Sequence, residues 1–272
     1  MPVLGVSSIY MYSKSILDAI EHAAMMGFRH INIFAYPPHF KEDSEDFVRK
    51  IKEALFRYGL DCSLKVQGYT INLAATNPNL RRRSFEEMEI WIDVASKLGC
   101  SSIVIRAGMF FYSERVFREK TYRRLISDLR KIVDRANSQG MDVLIENYPY
   151  PFDVVVMPSD FIRLQKTLRQ RVYLALNIPH LYDVYKTHTR VDMEAEIQHV
   201  LPWVKMLYIG EHVNPWDYPH RPSGEDMKKY MEFVGRMLRI LRRGEIGTII
   251  LIGYSEEDLK KLKKLASMYF LV

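Results

Sequence analysis

Two hydrophobic patterns alternate along the whole chain. Short apolar runs of four to seven residues, rich in β-branched and aromatic side chains, occupy Val3–Val6, His30–Phe34, Ser63–Tyr69, Ser102–Arg106, Asp142–Glu146, Val172–Asn177, Val204–Ile209 and Thr248–Ile252. Their lack of in/out alternation predicts strands covered on both faces. Between them, apolar residues recur at helical spacing. Ile16, Ile20, Ala23 and Ala24 share a face behind the candidate cap Ser13, and Phe47, Ile51 and Leu55 repeat the pattern. It continues through Met88, Ile92, Ala95 and Leu98, then Leu125, Leu129 and Ile132, then Phe161 and Leu164. Met231, Val234, Met237 and Leu241 form the next face, Leu259, Leu262 and Leu265 the last, and Met193–Val200 reads as a weaker helix. Gly27, Gly59, Gly99 and Gly140 stand where helices hand over to strands, the position that favours a left-handed glycine.

Eight strand-then-helix units without a long linker predict an α/β fold, a single (β/α)8 TIM barrel spanning 1–272 as one domain. A doubly wound open sheet is the alternative, but it calls for a glycine-rich turn after the first strand. Here that strand runs into Ser7-Ser8-Ile9-Tyr10-Met11-Tyr12, which has no glycine.

Composition narrows the setting. The 272 residues are 48% hydrophobic and 26% charged, with a mean hydropathy of -0.17, as in an ordinary globular protein. No run approaches the length of a membrane span. The first residues, Met1 to Val6, lack the basic and apolar regions of a secretory signal. Two cysteines, Cys62 and Cys100, make no disulfide framework. A cytoplasmic, reducing location is the expectation. The net charge of +6 raises the question of nucleic acid. Arg123-Arg124 and Arg242-Arg243 fall on or after outer helices, which leaves Arg81-Arg82-Arg83 as the cluster able to lie near a strand end.

Barrel chemistry sits at the C-terminal ends of strands. In order, these ends carry Ser7-Ser8, Ala35-Tyr36-Pro37-Pro38-His39, Gln67-Gly68-Tyr69, Arg106-Ala107-Gly108, Glu146-Asn147-Tyr148, Asn177-Ile178-Pro179-His180, Tyr208-Ile209-Gly210-Glu211-His212 and Gly253-Tyr254. Glu146 ends an apolar strand, where a carboxylate needs a partner or a wet cavity. An ion pair with Arg106 on the neighbouring strand is its structural alternative.

This series of ends resembles the xylose-isomerase-like superfamily of sugar isomerases, ketose epimerases and endonuclease-IV-type nucleases. The resemblance rests on Tyr69-Thr70-Ile71-Asn72-Leu73-Ala74 with Leu98-Gly99-Cys100, on Ile145-Glu146-Asn147, and on Ile209-Gly210-Glu211. It implies a divalent metal, Mn²⁺ or Mg²⁺, held by Glu on strand five, Asp on six, His on seven and Glu on eight. Carried over, Glu146 is present and His180 is kept, but Asp becomes Asn177, His becomes Tyr208, and the last Glu falls at or next to Gly253. The further nuclease histidines fall at Val66 and Arg106, which leaves Glu146, His180 and His220 of that set. One carboxylate and an amide make a poor site for a hard cation. The expectation is therefore a metal site weakened or lost at Glu146, with the Arg106 guanidinium supplying positive charge in the same cavity.

The resemblance then implies an isomerase or epimerase acting on a small molecule, either a polyhydroxy carbonyl compound or an anionic sugar phosphate. Glu146 and Glu211 would be its acid/base pair, His180 a proton shuttle, and Arg106, Asn177, Tyr208 and His220 its substrate-binding groups. A repurposed barrel that binds a ligand or partner is the alternative. Cleavage of abasic DNA ranks last, because its metal ligands are missing.

Overall fold

A computed structural model describes residues 1–11, 14–36, 40, 44–66, 68, 70–110, 118–187, 191–210, 225–253 and 255–270. Its strands are β1 (Val3–Ser7), β2 (His30–Ala35), β3 (Asp61–Val66), β4 (Ser102–Ile105), β5 (Asp142–Glu146), β6 (Tyr173–Asn177), β7 (Val204–Gly210) and β8 (Thr248–Ile252). All pair in parallel in chain order, and β8 closes on β1. This is the expected (β/α)8 barrel.

The helices are α1 (Ile16–Met25), α2 (Glu45–Tyr58), α3 (Pro78–Leu98), α4 (Arg118–Ser138), α5 (Pro158–Leu168), α6 (Ile178–Thr187), α7 (Met193–Val200), α8 (Glu225–Leu241) and α9 (Glu256–Tyr269). The cap of α1 is Ser15 rather than Ser13: its hydroxyl accepts from the Asp18 amide while the Asp18 carboxylate accepts from the Ser15 amide. The four handover glycines adopt φ between 64° and 78°, as their position requires. β3 begins two residues earlier than its hydrophobic run, because Asp61 pairs in register with His30.

Along each strand, alternate residues divide two layers. Leu64 and Val66 of β3, like Ile103 and Ile105 of β4, face the helices and join the large core between barrel and helix ring. Each such side chain, fully buried, contributes about 1.5–3 kcal/mol. The barrel interior holds Val104, Leu144, Ala175, Met206, Tyr208 and Ile250.

The interior also carries a buried polar relay. Tyr208 donates its hydroxyl to Asn32 Oδ1 at 3.0 Å, Asn32 Nδ2 donates to Ser63 Oγ at 2.8 Å, and Ser63 Oγ lies 2.9 Å from His30 Nε2. Satisfying these groups on one another removes most of the cost of burying them. Cys62 and Cys100 are buried thiols with sulfurs 2.8 Å apart. Among the described residues, no helix is long and apolar enough to cross a membrane.

Candidate active site

Period two along β3 turns Ser63 and Lys65 inward. Lys65 lies in register with Val104 of β4 and reaches past that short side chain to β5. There its Nζ donates to Glu146 Oε1 at 2.7 Å. Asn177, the last residue of β6, donates from Nδ2 to the same Oε1 at 2.8 Å. Its Oδ1 accepts from the His180 amide at 3.1 Å, in the first turn of α6. A backbone N–H can only donate, so this contact fixes the amide: oxygen toward α6, N–H toward Glu146. Asn147 locks the strand ends by donating to the Asn177 carbonyl at 3.2 Å and accepting from the Asn177 amide at 2.7 Å.

His180 Nδ1 lies 2.8 Å from the Asn147 carbonyl and 3.9 Å from Glu146 Oε1. A carbonyl only accepts, so Nδ1 carries the hydrogen and Nε2 is the basic nitrogen. Burial lowers the imidazole below its ordinary value, against the opposing pull of Glu146. Glu146 is 1% exposed. Its burial favours the neutral acid, but the charge of Lys65 and the hydrogen bonds from Lys65 and Asn177 hold the carboxyl below its ordinary value. Glu146 is therefore an ionised carboxylate at neutral pH.

Lys65 and His180 are the partly exposed members, at 12% and 21%. Tyr208 lies beneath them: the Lys65 ammonium sits 4.7 Å from its ring centroid, while its hydroxyl is turned to Asn32. Burial and the Glu146 charge push the phenol well above its ordinary value.

Arg106 does not pair with Glu146. Its Nε donates to Asp153 Oδ1 at 2.6 Å and its Nη1 to the Gly68 carbonyl at 3.1 Å, while the guanidinium stacks 4.4 Å from the Tyr148 ring. A Cβ on Gly68 would lie 2.7 Å from Arg106 Cδ, so glycine is needed there to seat the arginine. The cation at Glu146 is thus Lys65, and the carboxylate at Arg106 is Asp153; neither was singled out from the sequence. Lys65 had a signal, an inward position in a strand buried on both faces. Asp153 lies in an irregular loop with none. Glu211 and His220 lie outside the described residues, as do His39, His188 and Tyr254.

Arg81 stands in the first turn of α3, with its Nε 3.4 Å from Asp128, and Arg82 pairs with Glu86 at 3.7 Å. A cavity of about 720 Å³ lies outside the barrel between α6, α8 and α9, lined by Tyr182, Tyr185, Lys229, Arg236 and Tyr269. No strand-end residue lines it.

Over residues 20–251 the sequence matches the family described as the xylose isomerase-like TIM barrel. The chain belongs to that family. No curated protein is similar enough in sequence to count as a relative. Solved structures with the same fold include a D-tagatose 3-epimerase-like protein, at 18% identity and a TM-score of 0.72, covering 98% of this chain and 96% of that one. D-psicose 3-epimerase in the presence of D-fructose aligns at 18% identity and 0.67, covering 95% and 89%. A 3-keto-D-glucoside 4-epimerase from E. coli aligns at 14% and 0.68, covering 99% of both chains.

Among the described residues, the positions that the xylose isomerase-like resemblance assigns to the metal do not fit one. Glu146 Oε1 already holds an ammonium and an amide N–H, and the Asn177 oxygen is occupied by α6. The Tyr208 hydroxyl serves Asn32, and a Cβ at Gly253 would meet Leu259 Cδ2 at 3.0 Å. Among the described residues, no group of three or more His, Cys, Asp or Glu could hold a metal ion.

Proposed function

We propose that this barrel is an isomerase or epimerase of a small polyhydroxy carbonyl compound, working by carboxylate-mediated proton transfer at the strand ends. The observation that carries the reading is the convergence of an ionised carboxylate, an ammonium and a neutral imidazole at the ends of β3, β5 and β6. The folds of ketose and ketoglycoside epimerases, although distant in sequence, support the substrate class.

A carbon next to a carbonyl gives up its proton when a base meets it and the developing oxyanion is stabilised. Both hydrogen bonds to Glu146 fall on Oε1. Oε2 is therefore the oxygen that takes the proton, and Lys65 faces the enediolate oxygen. His180, with Nε2 basic, passes a proton between substrate oxygens. Return of the proton to the other face of the same carbon gives an epimer, and its return to the neighbouring carbon gives an isomer. Glu211, the expected second carboxylate, keeps its candidate acid/base role and His220 its candidate contact with substrate.

The test is a panel of ketopentoses, ketohexoses, their phosphates, 3-keto-glycosides and hydroxy-keto acids, read by thermal shift and by NMR in D₂O. An epimer or isomer that carries solvent deuterium and disappears in Glu146→Gln supports the proposal. A panel with neither conversion nor thermal shift contradicts it. One observation favours a second reading, a barrel that binds such a compound without converting it: the carboxylate is 1% exposed and already holds two donors. Saturable binding with no deuterium exchange would establish that reading instead.

A further inference from the structure

We propose that Lys65 is the built-in cation of this site, replacing the divalent metal at Glu146, and that the group it recognises is a carbonyl or alkoxide oxygen of the ligand. Three contacts carry this. The ammonium lies 2.7 Å from the carboxylate that the family resemblance assigns to the metal. Asn177, at the position of the missing Asp, turns its N–H rather than its oxygen toward that carboxylate. Tyr208, at the position of the missing His, offers the ammonium its ring face at 4.7 Å and sends its hydroxyl elsewhere.

These changes support one another chemically. A metal needs oxygen and nitrogen lone pairs around it, whereas an ammonium needs acceptors and aromatic faces. Each departure from the metal ligand set removes a lone pair and leaves surroundings that suit a cation already attached to the chain. An ammonium has three N–H donors. Among the described residues one is used, on Glu146. The others are available to an oxygen that gains negative charge as the neighbouring carbon loses its proton.

The same contacts distinguish this role from covalent catalysis. Imine formation requires a neutral amine, which attacks the carbonyl carbon and then expels the oxygen as water. The Lys65 nitrogen is instead engaged as a hydrogen-bond donor to Glu146 at 2.7 Å and lies 4.7 Å from the Tyr208 ring centroid. Lys65 acts through charge and hydrogen bonds, and the substrate stays unattached to it.

The inference can be tested without a substrate, so it stands or falls separately from the proposed activity. Mn²⁺ binding is followed by loss of the free-ion EPR signal and by thermal shift, on the wild-type protein, Glu146→Gln, Asn177→Asp, and the double variant Lys65→Met with Asn177→Asp. The wild type and Asn177→Asp are expected to show no saturable site at millimolar Mn²⁺. The double variant, with two carboxylates and no ammonium, is expected to bind about tenfold tighter or more and to gain thermal stability from the ion. Stoichiometric binding by the wild type, abolished in Glu146→Gln, would overturn the proposal. So would equal binding by Asn177→Asp and the double variant, since Lys65 would then be holding no metal's place. Should the double variant fail to fold, the wild-type and Asn177→Asp titrations decide alone. Borohydride treatment with a ketose panel is expected to leave Lys65 unmodified, and a reduced adduct at that residue would overturn the electrostatic role.

Discussion

Two cation–carboxylate pairs, each with a buried carboxylate, stand near each other at the strand ends, and they behave differently. Lys65 holds Glu146 inside the mouth; Arg106 holds Asp153 beside it. Glu146 is kept below its ordinary value, whereas burial pushes Asp153 up to about 7 against the pull of Arg106. The difference lies in how the carboxylate is completed. Glu146 gains a second donor from Asn177 and the nearby imidazole of His180. Asp153 Oδ2 has no hydrogen-bond partner among the described residues, and the Glu146 charge raises Asp153 further. A buried carboxylate stays ionised when its hydrogen bonds are completed as well as its charge matched. By that criterion Glu146 is built to keep its charge, while Arg106–Asp153 seats a loop against β4 through Gly68 and Tyr148.

The largest effect expected is on folding stability at mildly acid pH. At pH 5 Glu146 is ionised and Asp153 is largely protonated. Lys65→Met should therefore cost about 3–5 kcal/mol in urea unfolding, the price of an uncompensated buried charge. Arg106→Met at the same pH should cost about 1–3 kcal/mol, from hydrogen bonds alone. The gap should narrow by pH 8, where Asp153 is also charged. Equal costs at pH 5 would break the distinction between the pairs.

Next in size is the acid response of the relay beneath them. Burial lowers His30 to about 4, with Asp61 opposing. Above its ordinary value near 6.5 both folded and unfolded chains hold this imidazole neutral. Between about 6.5 and 4 the unfolded chain alone takes the proton, so stability falls on acidification by about 3 kcal/mol and then levels. Asp153 works in the opposite sense: its raised value favours the fold at low pH, and that contribution is lost as pH rises through about 7. The stability profile of Asp153→Asn should therefore climb more steeply from pH 4 to 7 than the wild type's, and His30→Gln should flatten it.

Gly68→Ala should be smaller and local. The added methyl meets Arg106 Cδ at 2.7 Å and Cβ at 2.8 Å, a clash worth about 1–3 kcal/mol. The atoms nearest that methyl belong to Arg106 and Tyr148, not to Lys65 or Glu146, so activity per folded molecule should change little. A loss of turnover equal to that of Glu146→Gln would join the two pairs into one machine.

The barrel was legible because both faces of its strands are buried. β5 and β8 run over the residues their hydrophobic runs mark, Asp142–Glu146 and Thr248–Ile252. α6 escaped notice because it follows β6 without an intervening residue and carries Pro179 in its first turn, which reads as a break although proline is tolerated there. Glu146, Asn177 and His180 could be found as strand-end polar residues, and the structure brings all three together. Their cation could not be found that way. Arg106 stood next to Glu146 in strand order, yet Lys65, one strand further, has the reach and the inward register. Ion-pair choice is set by side-chain length and by which loop supplies a competing carboxylate, and strand order carries neither.

The most direct test of the account is deuterium exchange at the substrate carbon. A ketose or 3-keto-glycoside from the panel is incubated in D₂O with wild-type protein and an excess of chelator, beside Glu146→Gln and Lys65→Met. Deuterium should enter at the wild-type rate with chelator present, and fall by about 100-fold or more in both variants. Exchange that stops with chelator and returns with Mn²⁺ would contradict a site whose cation is Lys65.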